Sequence, residues 1–136
     1  MKIFVICSKR FYPNVLEIKG ALENDGHVVE LPNSFDNPES ENEIRGMGNE
    51  AHAKWKEKMF NRSLRVIRSC EAVLVLNFDK NDYKNYIGGA TFLEMYDAFR
   101  LKKKIFLYNQ IPEGILKDEI IGFAPVVIEG NLKRIK

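Results

Sequence analysis

The chain has 136 residues, 45% of them hydrophobic and 29% charged, with a formal net charge of +2. That length fits one domain, residues 1–136, with a core large enough to need neither disulfides nor metal. The near-neutral charge argues against a nucleic-acid polymer as partner, and no apolar stretch approaches the roughly 20 residues of a membrane helix. Two cysteines, Cys7 and Cys70, each fall in or beside an apolar run. They read as reduced, buried thiols of a cytoplasmic protein. Met1 runs straight into a strand-like segment, so no leader peptide is expected.

Ile3 to Cys7 is an unbroken apolar run, as in a strand buried on both faces. Ser8 to Pro13 is a loop into a helix whose stripe is Val15, Ile18 and Leu22, ended by Asn24-Asp25-Gly26. His27 to Leu31 is a second strand. Pro32 to Glu50 is polar, with Phe35, Ile44 and Met47 its only large apolar residues, and reads as a long loop or lid with at most a helical turn. A helix follows from Ala51 to about Ser69, with Trp55, Met59, Leu64 and Ile67 as expected core contacts. Ala72 to Asn77 is the third strand, Phe78 to Gly88 a loop, and Gly89 to Leu101 a helix. Lys102-Lys103-Lys104 reads as a solvated turn. Ile105 to Tyr108 is the fourth strand, Glu113 to Ile121 a short helix, and Pro125 to Ile128 the last strand.

Strands alternating with helices imply right-handed crossovers and a parallel sheet. The expected fold is α/β: a three-layer, flavodoxin-like or Rossmann-like domain with five parallel strands in the order 2-1-3-4-5. Such sheets bind ligands beyond the carboxyl ends of the strands, where the order reverses. That places Ser8 to Tyr12 and Phe78 to Thr91 at the site.

Gly88-Gly89 precedes a helix, whose amino terminus offers free N–H groups to an anion. The segment is neither a P-loop nor a dinucleotide fingerprint, since no Gly-Lys-Ser/Thr and no G-x-G-x-x-G is present. Glu94 lies one turn into this helix among Phe92, Leu93, Met95, Ala98 and Phe99. A carboxylate so placed is desolvated, its pKa rises, and it suits nucleophilic or acid/base work. Asp79 and Asp82 precede the turn and offer a second carboxylate. Sugar-transferring sites use such a pair, one acid on the sugar and one on the proton. Tyr83, Tyr86 and Phe11 are candidate platforms for a base. Trp55 reads as core or interface. His27, His52 and the cysteines lack metal-ligand spacing, so no metal and no other cofactor is expected.

The run Gly88-Gly89-Ala90-Thr91-Phe92-Leu93-Glu94-Met95-Tyr96-Asp97-Ala98, followed by Lys104-Ile105-Phe106-Leu107, resembles the signature of the nucleoside 2-deoxyribosyltransferase family, which includes the 2′-deoxynucleoside 5′-monophosphate N-glycosidases. Ser69 to Leu76 resembles the family strand that opens on an acidic residue and an alanine. The resemblance implies that Glu94 attacks the anomeric carbon, that Gly88, Ala90 and Thr91 belong to the turn that holds the sugar or its 5′-phosphate, and that Ser8, Lys9 and Arg10 meet the base and the phosphate. With Gly89, Asn77 and Tyr86 these form the expected binding set. Asp79 is the candidate second acid. The sequence departs from the pattern in four places. Gly88 replaces an acidic residue or Ser, Ala90 replaces Gly, Tyr96 replaces Gly, and the second acid of the family would fall near Ser63, which is uncharged. Phe4 stands about where some members carry a site tyrosine.

Two functions follow. One is cleavage of, or base exchange at, the N-glycosidic bond of a deoxynucleoside or its 5′-monophosphate. The other is non-catalytic nucleotide binding or sensing on the same fold. Either way the partner is a small nucleoside or nucleotide, and a homodimer is expected, with Trp55–Phe60 or Tyr96–Phe99 as its contact face.

Overall fold

A computed structural model describes residues 1–136. Five parallel strands form one sheet: β1 (Lys2–Ile6), β2 (Val28–Glu30), β3 (Ala72–Val75), β4 (Lys104–Leu107) and β5 (Val126–Val127). Their order is β2-β1-β3-β4-β5, as the alternation of strands and helices predicts. In the central pair Ile3 lies beside Ala72 and Ile6 beside Val75.

Alternate residues along the strands feed two separate cores. Ile3 and Val5 of β1 join Ala72 and Leu74 of β3 on one face, beneath Val15, Ile18 and Leu22 of helix α1 (Val15–Asn24). Phe4 and Ile6 join Val73 and Val75 on the other face. There they meet Ile67 of α3 (Asn49–Ser69), Met95 and Ala98 of α4 (Gly89–Arg100) and Ile120 of α5 (Lys117–Gly122). Each fully buried aliphatic side chain contributes about 1.5–3 kcal/mol of transfer free energy, so both faces are firmly covered. The three-layer reading therefore holds. Cys7 and Cys70 are free, buried thiols, as the sequence predicts.

The segment from Pro32 to Glu50 is more ordered than its composition implies. Turns lead into a short helix, α2 (Ser40–Arg45), which has no buried residue, and α3 begins at Asn49 rather than Ala51. With no apolar stripe on α2 there is no periodicity to read. Acidic Glu41 and Glu43 in its first turn and Arg45 in its last complement the helix dipole. The final strand is two residues rather than four, and the preceding helix starts at Lys117 rather than Glu113.

Helix α3 has 21 residues, roughly 31 Å by helical rise, and only Ser63 and Ile67 in it are buried. Its amino-terminal half overhangs the carboxyl edge of the sheet and packs against α2. Trp55 and Met59, expected in the core, instead line a cavity. A side chain on the overhanging turns has no sheet beneath it.

Candidate functional site

The cavity measures about 410 Å³ and sits at the carboxyl edge of the sheet, where the strand order reverses between β1 and β3. Its walls come from five places: the end of β1 with the 3-10 helix after it (Lys9–Asn14), the loop after β2 with α2, the overhanging half of α3, the loop after β3 through Lys80 and Tyr86, and the start of α4. This is the position the topology predicts for a ligand.

Glu94 closes the inner wall. Ser63 Oγ donates to Glu94 Oε2 at 2.8 Å. Burial pushes the Glu94 carboxyl up to about 7, against the hydrogen bond from Ser63 and the charges of Arg62 and Lys56, while Asp97 adds to the rise. Both protonation states are therefore populated near neutral pH. Behind Ser63, Asn33 Nδ2 donates to Ser63 Oγ at 2.6 Å and to the Met59 carbonyl at 3.1 Å, and Asn33 Oδ1 accepts from Arg62. Tyr12 donates its hydroxyl proton to the Asn33 carbonyl. Burial, reinforced by Cys7 and Glu94, keeps that phenol protonated far above the ordinary range. The Cys7 thiol, also on the wall, is pushed by burial and by Glu94 up to about 12. It is no nucleophile at neutral pH.

The outer wall is charged. Glu41 of α2 bonds His52 at 2.8 Å and lies 3.2 Å from Lys56 and 3.5 Å from Arg45. Burial pushes Glu41 up, but those partners outweigh it and hold the carboxyl below the ordinary range. Two further cations face the cavity without a carboxylate partner: Lys9, and Lys80, whose ammonium lies 4.5 Å from the centre of the Tyr86 ring.

Of the residues singled out in the sequence, Ser8, Lys9, Tyr86, Gly88, Gly89, Ala90, Thr91 and Glu94 all line this one cavity. Arg10 is exposed and does not. Asn77 is fully buried, and its amide braces the loop after β4 through Asn109 and Gln110. Asp79 is exposed outside the cavity, where Oδ1 accepts from the Asn85 N–H at 3.0 Å and pins a residue whose φ is +55°. Phe11 is core, packed edge-on against Phe78, and Tyr83 is mostly exposed. Neither Gly88 nor Gly89 uses a positive φ, so the turn does not depend on glycine flexibility. What glycine supplies is room: a Cβ on Gly88 would meet the Tyr86 hydroxyl at 3.3 Å, and nothing lies within 4 Å of one on Gly89.

Sequence reasoning missed the contribution of Asn33, Arg62 and the α2 charges. Asn33 stands alone in a polar stretch, and only the tertiary fold brings it to Ser63.

Helix-flanked parallel strands in this order, with a carboxylate at the switch point, define a doubly wound α/β domain with a ligand cavity at its carboxyl edge. Two solved structures share the fold. The 2-deoxyribosyltransferase of the psychrotolerant bacterium Bacillus psychrosaccharolyticus matches with a TM-score of 0.53 at 20% identity, over 79% of this chain and 71% of that one. The CMP N-glycosidase of Clostridium botulinum matches with a TM-score of 0.51 at 14% identity, over 93% of this chain and 85% of that one. The resemblance read in the sequence is thus borne out in the fold. No family model and no curated protein matches the sequence. No helix is long and apolar enough to cross a membrane.

Proposed function

We propose that this chain cleaves, or exchanges the base of, the N-glycosidic bond of a deoxynucleoside 5′-monophosphate, with Glu94 as the nucleophile. The observation that carries this reading is the Glu94 carboxyl on the inner wall of a 410 Å³ cavity, hydrogen-bonded through one oxygen only. The unbonded Oε1 attacks the anomeric carbon. The carbon–nitrogen bond breaks with its electron pair on the base, which takes a proton from water. Water, or a second base, then displaces Glu94 from the sugar. The preference for a monophosphate over a nucleoside follows from Lys9 and Lys80, two cations without carboxylate partners, beside the amino terminus of α4. Of the two solved structures of this fold, one is by its name a 2-deoxyribosyltransferase and the other an N-glycosidase of CMP, so both names concern the bond between sugar and base.

A 2-fluoro-2-deoxynucleoside 5′-monophosphate should label the protein covalently. The labelling rate should rise with pH through about 7, because only the ionised carboxylate attacks. Glu94→Ala should abolish the adduct, and an adduct of unchanged mass in that variant removes the assignment.

One observation favours a second reading, nucleotide binding without turnover. Where the family resemblance implies a second acid the chain has Ser63, and Asp79 is occupied outside the cavity. Calorimetry with nucleoside monophosphates, run beside a base-release assay, separates the two: tight binding with no free base identifies a sensor. Self-association belongs to either reading. Leu93, Tyr96 and Phe99 of α4 are each nearly half exposed. Light scattering should give a dimer, and a monomer at tens of micromolar would exclude it.

A further inference from the structure

The hydrogen-bond chain behind Glu94 has a direction that can be worked out from its donors. Arg62 has only protons to give, so the Asn33 atom it meets is the carbonyl oxygen, which fixes the orientation of the amide. Asn33 Nδ2 then has two protons, and both are used, on the Met59 carbonyl and on Ser63 Oγ. Ser63 Oγ is therefore an acceptor toward Asn33. Its single proton is left for Glu94 Oε2, 2.8 Å away. Ser63 is 3% exposed, so water does not compete for that proton.

We infer that Asn33 is a positioning residue for Glu94, acting through Ser63: it commits the serine proton to Oε2 and leaves Oε1 as the oxygen that faces the ligand. The inference rests on Glu94 as the reacting carboxylate for its purpose, but the geometry stands without it. Three elements meet at Asn33: the 3-10 helix through Tyr12, the loop after β2 that carries Asn33 itself, and α3 through Met59, Arg62 and Ser63. The wall of the cavity and the orientation of its carboxylate are thus set by one side chain that the ligand need not touch.

The charged and titratable groups around Glu94 are few. Asp97 lies on its own helix, Lys56 and Arg62 on α3, Cys7 at the end of β1 and Tyr12 on the 3-10 helix. A substitution at Asn33 that adds charge therefore acts in two ways, through space and through Ser63, and the test must separate them.

Asn33→Asp does so. The aspartate matches asparagine in size and still accepts from Arg62, but it loses the bond to the Met59 carbonyl as well as the one to Ser63; the part of any effect that comes from Met59 is the same with and without Ser63→Ala. The aspartate has no proton to donate, and it draws the Ser63 proton away from Glu94. The readout is the Glu94 titration, followed by carbon-13 NMR of labelled glutamate carboxyls and assigned with Glu94→Gln. Ser63→Ala alone should raise the Glu94 midpoint by about one pH unit, the size expected for a lost hydrogen bond to a charged group. Asn33→Asp alone should raise it at least as much. Combined with Ser63→Ala, Asn33→Asp should add clearly less than it does alone, because only the through-space part remains. Equal shifts with and without Ser63→Ala, or no shift on Asn33→Asp, overturn the inference. Should Asn33→Asp fail to fold, Arg62→Gln serves. Its amide can turn its oxygen toward Asn33 and free that amide to flip, so the Glu94 midpoint should again rise by more with Ser63 present than with Ser63→Ala, and equal rises refute it. The titration needs no turnover, so it judges Asn33 separately from the adduct experiment, which judges Glu94 as nucleophile.

Discussion

Replacing Glu94 by glutamine should make the protein more stable at alkaline pH while abolishing the proposed covalent labelling. Burial raises the folded-state pKa of Glu94 from 4.5 to about 7, so folding favours the protonated form. The sign follows from linkage. Below pH 4.5 both folded and unfolded chains carry a neutral Glu94 and the site costs nothing. Between 4.5 and about 7 the unfolded chain releases its proton while the folded one holds it, and stability falls as pH rises. Above about 7 the loss is complete. One pKa unit is about 1.4 kcal/mol, which puts the cost at about 1 kcal/mol at pH 5 and about 3 kcal/mol at pH 8. Glutamine has nearly the same shape, stays neutral and can still accept from Ser63. Urea unfolding of both proteins at pH 5 and pH 8 gives the comparison. The variant's advantage should grow by about 2 kcal/mol between those pH values, on a total of 5–15 kcal/mol for a typical domain. An advantage that does not change with pH, or a variant less stable at pH 8, would refute a desolvated carboxyl at this position. Stability sacrificed at one residue marks a residue kept for something else.

Four other substitutions test the assignment of roles. Lys9→Ala and Lys80→Ala should each weaken binding of a nucleoside monophosphate by roughly tenfold in calorimetry at low salt, with little change for the nucleoside, since each removes one cation from an anion's surroundings. Asp79→Ala should leave covalent labelling intact and lower stability by about 1 kcal/mol or less, because its carboxylate serves only the Asn85 N–H. Gly89→Ala should fold normally and gain up to about 1 kcal/mol in urea unfolding, given a helical backbone and open space at its Cβ.

The fold was legible because its signals are local. Apolar runs in β1 and β3 could only be strands covered on both faces, and the crossovers between them dictate a parallel sheet with a switch point. Glu94 was legible for the same reason: its apolar neighbours Phe92, Leu93, Met95, Ala98 and Phe99 imply a helix packed on the sheet, and Met95 and Ala98 are indeed buried while Leu93 and Phe99 are nearly half exposed. Two of the expectations that failed did so because tertiary placement is not written in local pattern. Trp55 and Met59 have the spacing of a core stripe, but periodicity cannot say that the sheet ends before the helix does. Asp79 sits beside the site in sequence, yet its side chain lies outside the cavity and accepts from the Asn85 N–H, across a loop with left-handed residues at Asn81 and Asn85. Adjacency along a loop is a poor guide to adjacency in space, because left-handed residues such as Asn81 and Asn85 turn the chain in ways that spacing does not show.

The site itself shows why a missing acid does not leave Glu94 unmanaged. A second carboxylate beside it would raise its pKa further by repulsion, and burial, with Asp97 adding to it, has already taken it to about 7. The chain instead places a hydroxyl there, whose hydrogen bond favours the ionised form. That hydroxyl is useful only if its proton points the right way, and a serine rotor has three staggered choices. Asn33 removes the choice, and Arg62 removes the corresponding freedom from Asn33. On the proposed function, Glu94 is thus prepared by orientation rather than by a partner acid, while nothing comparable is in place to protonate the departing base. Slow formation of the glycosyl adduct, with little of it accumulating, is the kinetic outcome this asymmetry favours for leaving groups that need a proton. A base that leaves readily as an anion should escape the penalty. Comparing 2-fluoro-2-deoxynucleoside monophosphates with good and poor leaving bases would reveal it as a steep dependence of labelling rate on leaving-group pKa. A flat dependence would mean that an acid is present which Ser63 and Asp79 do not account for.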